Sequence, residues 1–164
     1  MAMKRPGPVL RWFSRAPYLL YRTHLGWLMG RRFLMLTTVG RKTGAMRRST
    51  LEVVARSDGA DASAPPTLWV FATRGRRTDW YANAIASGEA TVDWMSRRFA
   101  VRAHALEVKE RSDLLAEYRR RHPRAAVLLG KGMLGTEYAD DAATLRTLAG
   151  ELRALRLEPA ATGR

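Results

Sequence analysis

The chain has 164 residues, 46% of them hydrophobic, which suits one domain around a single core and excludes a disordered chain. Its 29 Lys and Arg outnumber 15 Asp and Glu, for a net charge of +14 and a pI near 11.3. There are no cysteines, so disulfides, thiolate metal sites and cysteine nucleophiles are excluded.

The positive field draws phosphates, nucleic acids, anionic lipid or poly-acidic ligands without choosing among them. Most of the cations are arginine. Arginine suits bidentate contact to phosphate and carboxylate, and a GC-rich genome would produce the same bias. His24, His104 and His122 are far apart and form no HxxxH or HExxH pair, which argues against a metal site. The basic N-terminus lacks the apolar core of a signal peptide, and no stretch approaches the roughly 18 apolar residues of a membrane span. The expected compartment is the cytoplasm, with attachment to the inner face of the membrane left open.

Residues 8–29, "PVLRWFSRAPYLLYRTHLGWLM", read as a helix broken at Pro17. Its aromatic and aliphatic clusters alternate with Arg11, Arg15 and Arg22, as in a helix capping a barrel or one lying on an anionic membrane. The period then changes. "FLMLTTV" (33–39) is a short apolar run typical of a buried strand, and "MRRSTLEVVA" (46–55) partly alternates as a half-buried one. Residues 56–66, rich in Gly, Pro, Ser and Asp, form a loop. "TLWVFAT" (67–73) is a third strand. Thr78 is placed to cap a helix, "TDWYANAIASG", that stops at Gly88. "ATVDWM" (90–95), the turn "SRR" and "FAVRAHAL" (99–106) make a hairpin. A helix over 110–123 is expected to start near Ser112 and stop at Pro123. A second helical stretch follows. "DDAATLRTLAGELRALRLEP" carries a last helix, with Asp140 and Asp141 at its N-terminus, into a final strand at 153–158.

This order predicts an α+β fold: a small, mostly antiparallel barrel with N-terminal and C-terminal helices. One domain spans 1–164, with an N-terminal helical segment (1–30), a barrel core (33–106) and a helical C-terminal part (107–164).

No GxSxG, GxGxxG or Walker loop is present, so the sequence on its own shows no catalytic machine. An enzyme built on it would rely on a cofactor for the chemistry. Three basic clusters remain. "YRRRHPR" (118–124) reads as a solvated helix face. The other two, Arg41, Lys42, Arg47, Arg48 and Arg74, Arg76, Arg77, sit on glycine-containing turns directly after apolar strands. Glycine lets a ligand approach the backbone, and free N–H groups there bind anions. Two such turns on one rim, beside a helix N-terminus, would make a phosphate site. Nucleic-acid binding would instead require a recognition helix or stacking aromatics beside the cations.

"LTTVGRKTGAMRRSTLEVV" followed by "FATRGRRTDWYANAIASGEATV" resembles the deazaflavin-dependent nitroreductases, split β-barrel oxidoreductases of FMN-binding-like fold that use coenzyme F420. The resemblance covers roughly residues 33 to 106, and it rests on GRKTG and WYxN in that order. It implies that Arg41, Lys42 and Arg47 meet the cofactor's phosphate and acidic tail, and that Thr43 and Gly44 shape the turn. It implies that Ala72, Thr73, Arg74 and Gly75 line the deazaflavin or its ribityl chain, and that Trp80, Tyr81 and Asn83 brace the helix beside it. Plain core packing is the competing role for Trp80 and Tyr81. The sequence departs from the family at Asn83-Ala84, at Ser87-Gly88 and in the short "RGRRTDW" segment. Its C-terminal third, which builds the substrate pocket in the family, matches poorly. Tyr118 and Tyr138 are the candidates there for a proton donor or pocket residue. The implied activity is hydride transfer to an electron-poor acceptor such as a quinone, nitroaromatic or enone. FMN is the alternative cofactor, a basic module for nucleic acid or membrane the alternative function, and a homodimer the implied assembly.

Overall fold

The computed structural model of the protein describes residues 30–57, 64–73, 78–135 and 141–160. The sequence-predicted helix at 8–29, the basic turn 74–77 and Tyr138 lie outside these residues. Six strands, β1 (Phe33–Val39), β2 (Met46–Arg56), β3 (Leu68–Ala72), β4 (Glu89–Trp94), β5 (Arg97–Ala105) and β6 (Arg153–Pro159), close into a barrel in the order β1-β2-β3-β6-β5-β4. Every neighbouring pair is antiparallel. Among the described residues, four helices accompany them: α1 (Asp79–Ser87), α2 (Val108–Arg121), α3 (Pro123–Leu134) and α4 (Ala142–Glu151). This is the α+β split barrel expected from the sequence.

Alternation decides which side chains enter the barrel. Leu34, Leu36, Leu51, Leu68, Val70, Val92, Val101, Leu155 and Leu157 point inward and form the inner core, with Trp94 nearly buried among them. Each fully buried Leu or Val contributes about 2 kcal/mol. On the outside, Val54, Phe71 and Ala154 build a second core with Leu115 and Tyr118 of α2, Ala126 of α3, and Leu148, Ala149 and Leu152 around α4. Leu51 and Val53 of β2 face the inner core and Val54 the outer one, and the register against β3 shifts between Val53 and Ala55.

Boundaries differ from the expectation in three places. α2 starts at Val108, four residues before Ser112, because Glu107 and Glu110 form a capping box in place of a Ser/Thr cap. Pro123 begins α3 at its first position, where a missing N–H costs nothing. The β4–β5 turn needs only Met95 and Ser96, with Met95 at φ 55°, so Arg97 and Arg98 belong to the strand. Thr78 occupies the N-cap position of α1, yet its hydroxyl makes no cap bond and is buried without a partner. Asp141 does cap α4, accepting from the Thr144 N–H at 2.7 Å, and this contact holds its carboxyl below the usual pKa.

Candidate functional site

The β1–β2 turn is tight because of its two glycines. Gly40 donates to Ala45 O at 2.8 Å and its carbonyl accepts from Gly44 N at 2.8 Å, which leaves Arg41 to Gly44 as the loop. Gly44 has φ +67°, the left-handed region that disfavours side chains. A Cβ at Gly40 would lie 3.1 Å from Ala45 O, tighter than an ordinary contact. GRKTG thus displays Arg41 and Lys42 on a rigid tip.

The tip leans on α1. Asn83, nearly buried, accepts from the Arg41 backbone N–H at 3.2 Å and from its Nη1 at 2.9 Å, both through Oδ1. Asp79 Oδ1 accepts from Nη1 and Nη2 of Arg41, each at 3.2 Å. Between turn and helix lies a groove of about 490 Å³ lined by Gly40, Arg41, Lys42, Thr43, Arg47, Arg48, Ser49, Asp79, Trp80 and Asn83. Arg41 is committed to Asp79 and Asn83. Lys42, Arg47 and Arg48 are exposed and, among the described residues, have no carboxylate partner. Three cations in high dielectric repel one another only weakly, and an anion between them gains from all three.

Trp80 shares both roles weighed for it: it packs against the inner core and forms one wall of the groove. Tyr81 packs on the same core, edge-on to Trp80 with ring centroids 6.2 Å apart. Of the residues expected on the cofactor, Arg41, Lys42, Thr43, Arg47, Trp80 and Asn83 come together here. Gly44 shapes the loop from just outside. Ala72 and Thr73 stand at the far end of β3, the first buried and the second exposed, and neither lines the groove. Arg74 and Gly75 lie outside the described residues. Tyr118 is not brought to the groove. It is 3% exposed within the outer core, and its hydroxyl donates to both oxygens of Glu52 at 3.3 Å. Glu52 in turn pairs with Arg32 at 3.1 Å. Burial, then the Glu52 charge, push the Tyr118 hydroxyl up to about 12, so it stays protonated and acts as a brace.

Sequence reasoning missed Ser49 and Asp79 as groove residues. Asp79 carried a signal, since an acid in a helix's first turn faces whatever packs on that end. It also missed Arg111, which a polar helix sequence gave no reason to bury.

The chain matches the F420H(2)-dependent quinone reductase family over residues 15–128, and it belongs to that family. It is an oxidoreductase whose cofactor is the deazaflavin F420 in its reduced form. None of the curated proteins matches. Among solved structures, an F420-H2 dependent reductase, FDR-A, is 20% identical with a TM-score of 0.51, covering 78% of this chain and 95% of its own. A protein described as a domain-swapped dimer is 18% identical with a TM-score of 0.52, covering 88% of this chain and 100% of its own. A pyridoxamine 5'-phosphate oxidase-related, FMN-binding protein from Nostoc punctiforme is 16% identical with a TM-score of 0.50, covering 95% and 83%. At these identities the structures share the fold. The groove's charge suits an anionic cofactor, because Lys42, Arg47 and Arg48 have no carboxylate partner among the described residues. No described helix is long and apolar enough to cross a membrane.

Proposed function

We propose that the hairpin groove holds the anionic part of the reduced deazaflavin and that the acceptor is an electron-poor ring of the quinone type. The observation that carries this reading is the set of three cations, Lys42, Arg47 and Arg48, facing a groove with no carboxylate of their own. When bound, the cofactor supplies a hydride. The chain's residues bind, orient and exclude water. Lys42, Arg47 and Arg48 neutralise phosphate and glutamate-tail charge and steer it in. Arg41, pinned by Asp79 and Asn83, keeps the tip against α1 and offers its remaining N–H groups. Trp80 walls the groove. Ala72 and Thr73 at the end of β3, with Arg74 and Gly75 after them, are assigned to the ring and ribityl side on the strength of the family resemblance. Nitroaromatics and enones are further acceptors of the same electronic character. A second copy of the chain is a proposed partner, supported by the solved fold relative described as a domain-swapped dimer.

Fluorescence titration with F420, with FMN in parallel, tests the site. Saturable binding of the deazaflavin in preference to FMN, lost in Lys42→Glu/Arg47→Glu, supports the reading; unchanged binding in that variant refutes it. Turnover with quinones, nitroaromatics and enones then ranks the acceptors.

A further inference from the structure

The second arginine site of interest lies at another seam. The Leu106 backbone N–H donates to Ala154 O at 3.1 Å, which lays the entry of α2 against the start of β6. An ion pair between Arg156 and Glu110, 3.7 Å, crosses the same seam. β6 begins with Arg153, directly opposite Ala72, the last residue of β3. One turn into α2 stands Arg111. Its side chain is buried, with the residue 3% exposed, and its Nε has no hydrogen-bond partner.

The nearby acids are occupied. Glu107 accepts from the Glu110 backbone N–H as the helix cap, and Glu110 returns its carboxylate to the Glu107 N–H at 2.8 Å while facing Arg156. Half-buried Arg153 adds a second positive charge. Burial, and then the like charge of Arg153, pull the Arg111 guanidinium below its usual pKa, against the opposing pull of Tyr81 and Glu107. None of these residues lines the hairpin groove.

A buried guanidinium with an open donor and a cationic neighbour is costly unless an anion completes it. We propose that Arg111, with Arg153 at the start of the adjoining strand, forms a second anion site that takes a single oxyanion group, a phosphate or a carboxylate. The site does not depend on the cofactor reading of the hairpin groove.

Thermal unfolding of the full chain tests it, in sodium phosphate, sodium acetate and sodium chloride at equal ionic strength. The measurement is repeated in the groove variant Lys42→Glu/Arg47→Glu, which removes anion binding at the hairpin. Phosphate or acetate is expected to raise Tm by roughly 3 °C over chloride in both backgrounds. An increment with acetate assigns a carboxylate; one with phosphate alone assigns a phosphate. Arg111→Met abolishes the increment, and in chloride it unfolds no earlier than the parent because it removes an unpaired buried charge. Arg153→Gln, at a half-buried strand end, lowers the increment in a folded protein and decides the matter if Arg111→Met fails to fold. The proposal is overturned if neither anion raises Tm in the groove variant, or if Arg153→Gln keeps the parent's full increment.

Discussion

Two basic regions of the barrel use the same residue types in opposite ways. Along α2, Arg120 and Arg121 both pair with Glu117, and Lys109 pairs with Asp113 at 2.9 Å, each partner one helical turn away. These contacts are local, solvated and weak, and they hold the Glu117 carboxyl below its usual pKa mainly through Arg120. At the hairpin tip, Lys42, Arg47 and Arg48 face a groove whose one acid, Asp79, is taken by Arg41. The net charge of +14 is thus unevenly distributed: Lys109, Arg120 and Arg121 of α2 meet acids on their own helix, while Lys42, Arg47 and Arg48 at the tip stay open. What marks a binding region is the lack of local acids around a cation cluster held rigid by glycine turns, and total charge does not reveal it.

The sharpest way to break this comparison is to reverse the tip. Lys42→Glu/Arg47→Glu is expected to weaken F420 binding by roughly 10²–10³-fold, since each charge-assisted contact is worth about 1.5–3 kcal/mol. The far-UV spectrum and Tm should stay near the parent's, as both side chains are exposed. Equal loss of Tm and affinity would mean the tip is structural.

Next comes Asn83→Leu, which removes both contacts that Arg41 makes with the amide oxygen. Leaving the Arg41 N–H and guanidinium without this acceptor should cost about 1–3 kcal/mol, a drop in Tm of roughly 3–9 °C, and should weaken F420 binding as the tip loosens. Loss of stability without loss of affinity would separate the brace from the groove. Asp79→Asn is milder. It frees Arg41 from one acid and removes a negative charge from the groove, so F420 should bind about 2–5-fold tighter at low salt, the gain fading as salt rises.

Tyr118 gives a pH test on the outer core. Its folded pKa, about 12, lies above the ordinary value, so the protonated hydroxyl contributes stability that is fully present below pH 10. That contribution is lost as pH rises through about 12. Tyr118→Phe should remove this alkaline loss while leaving F420 affinity and turnover unchanged. A large fall in turnover with stability intact would return Tyr118 to the catalytic candidates. The smallest effect belongs to Glu117→Gln, which unpairs Arg120 and Arg121: Tm should move by about 1–2 °C and F420 affinity not measurably. A rise in affinity there would show that cations on α2 also reach the cofactor.

Residue order alone determined much of this protein. Period-two apolar runs and their turn residues placed the six strands within a few positions, because burial on one or both strand faces writes directly into alternation. GRKTG announced a cationic turn, because left-handed backbone at Gly44 and close packing at Gly40 both require glycine. The family motifs pointed to F420 before any fold was known. Tertiary structure decided the rest. Only barrel closure brings α1 onto the β1–β2 tip, 42 residues away along the chain, so that Asn83 and Asp79 claim Arg41 and leave its neighbours open. Only the packing of α2 on the outer face of β2 lets Glu52 meet Tyr118, 66 residues distant. Arg111 looks like any solvated helix arginine, yet the assembled fold buries it. Local pattern governs which face of an element is apolar, whereas charge pairing is a long-range choice, made when the elements meet.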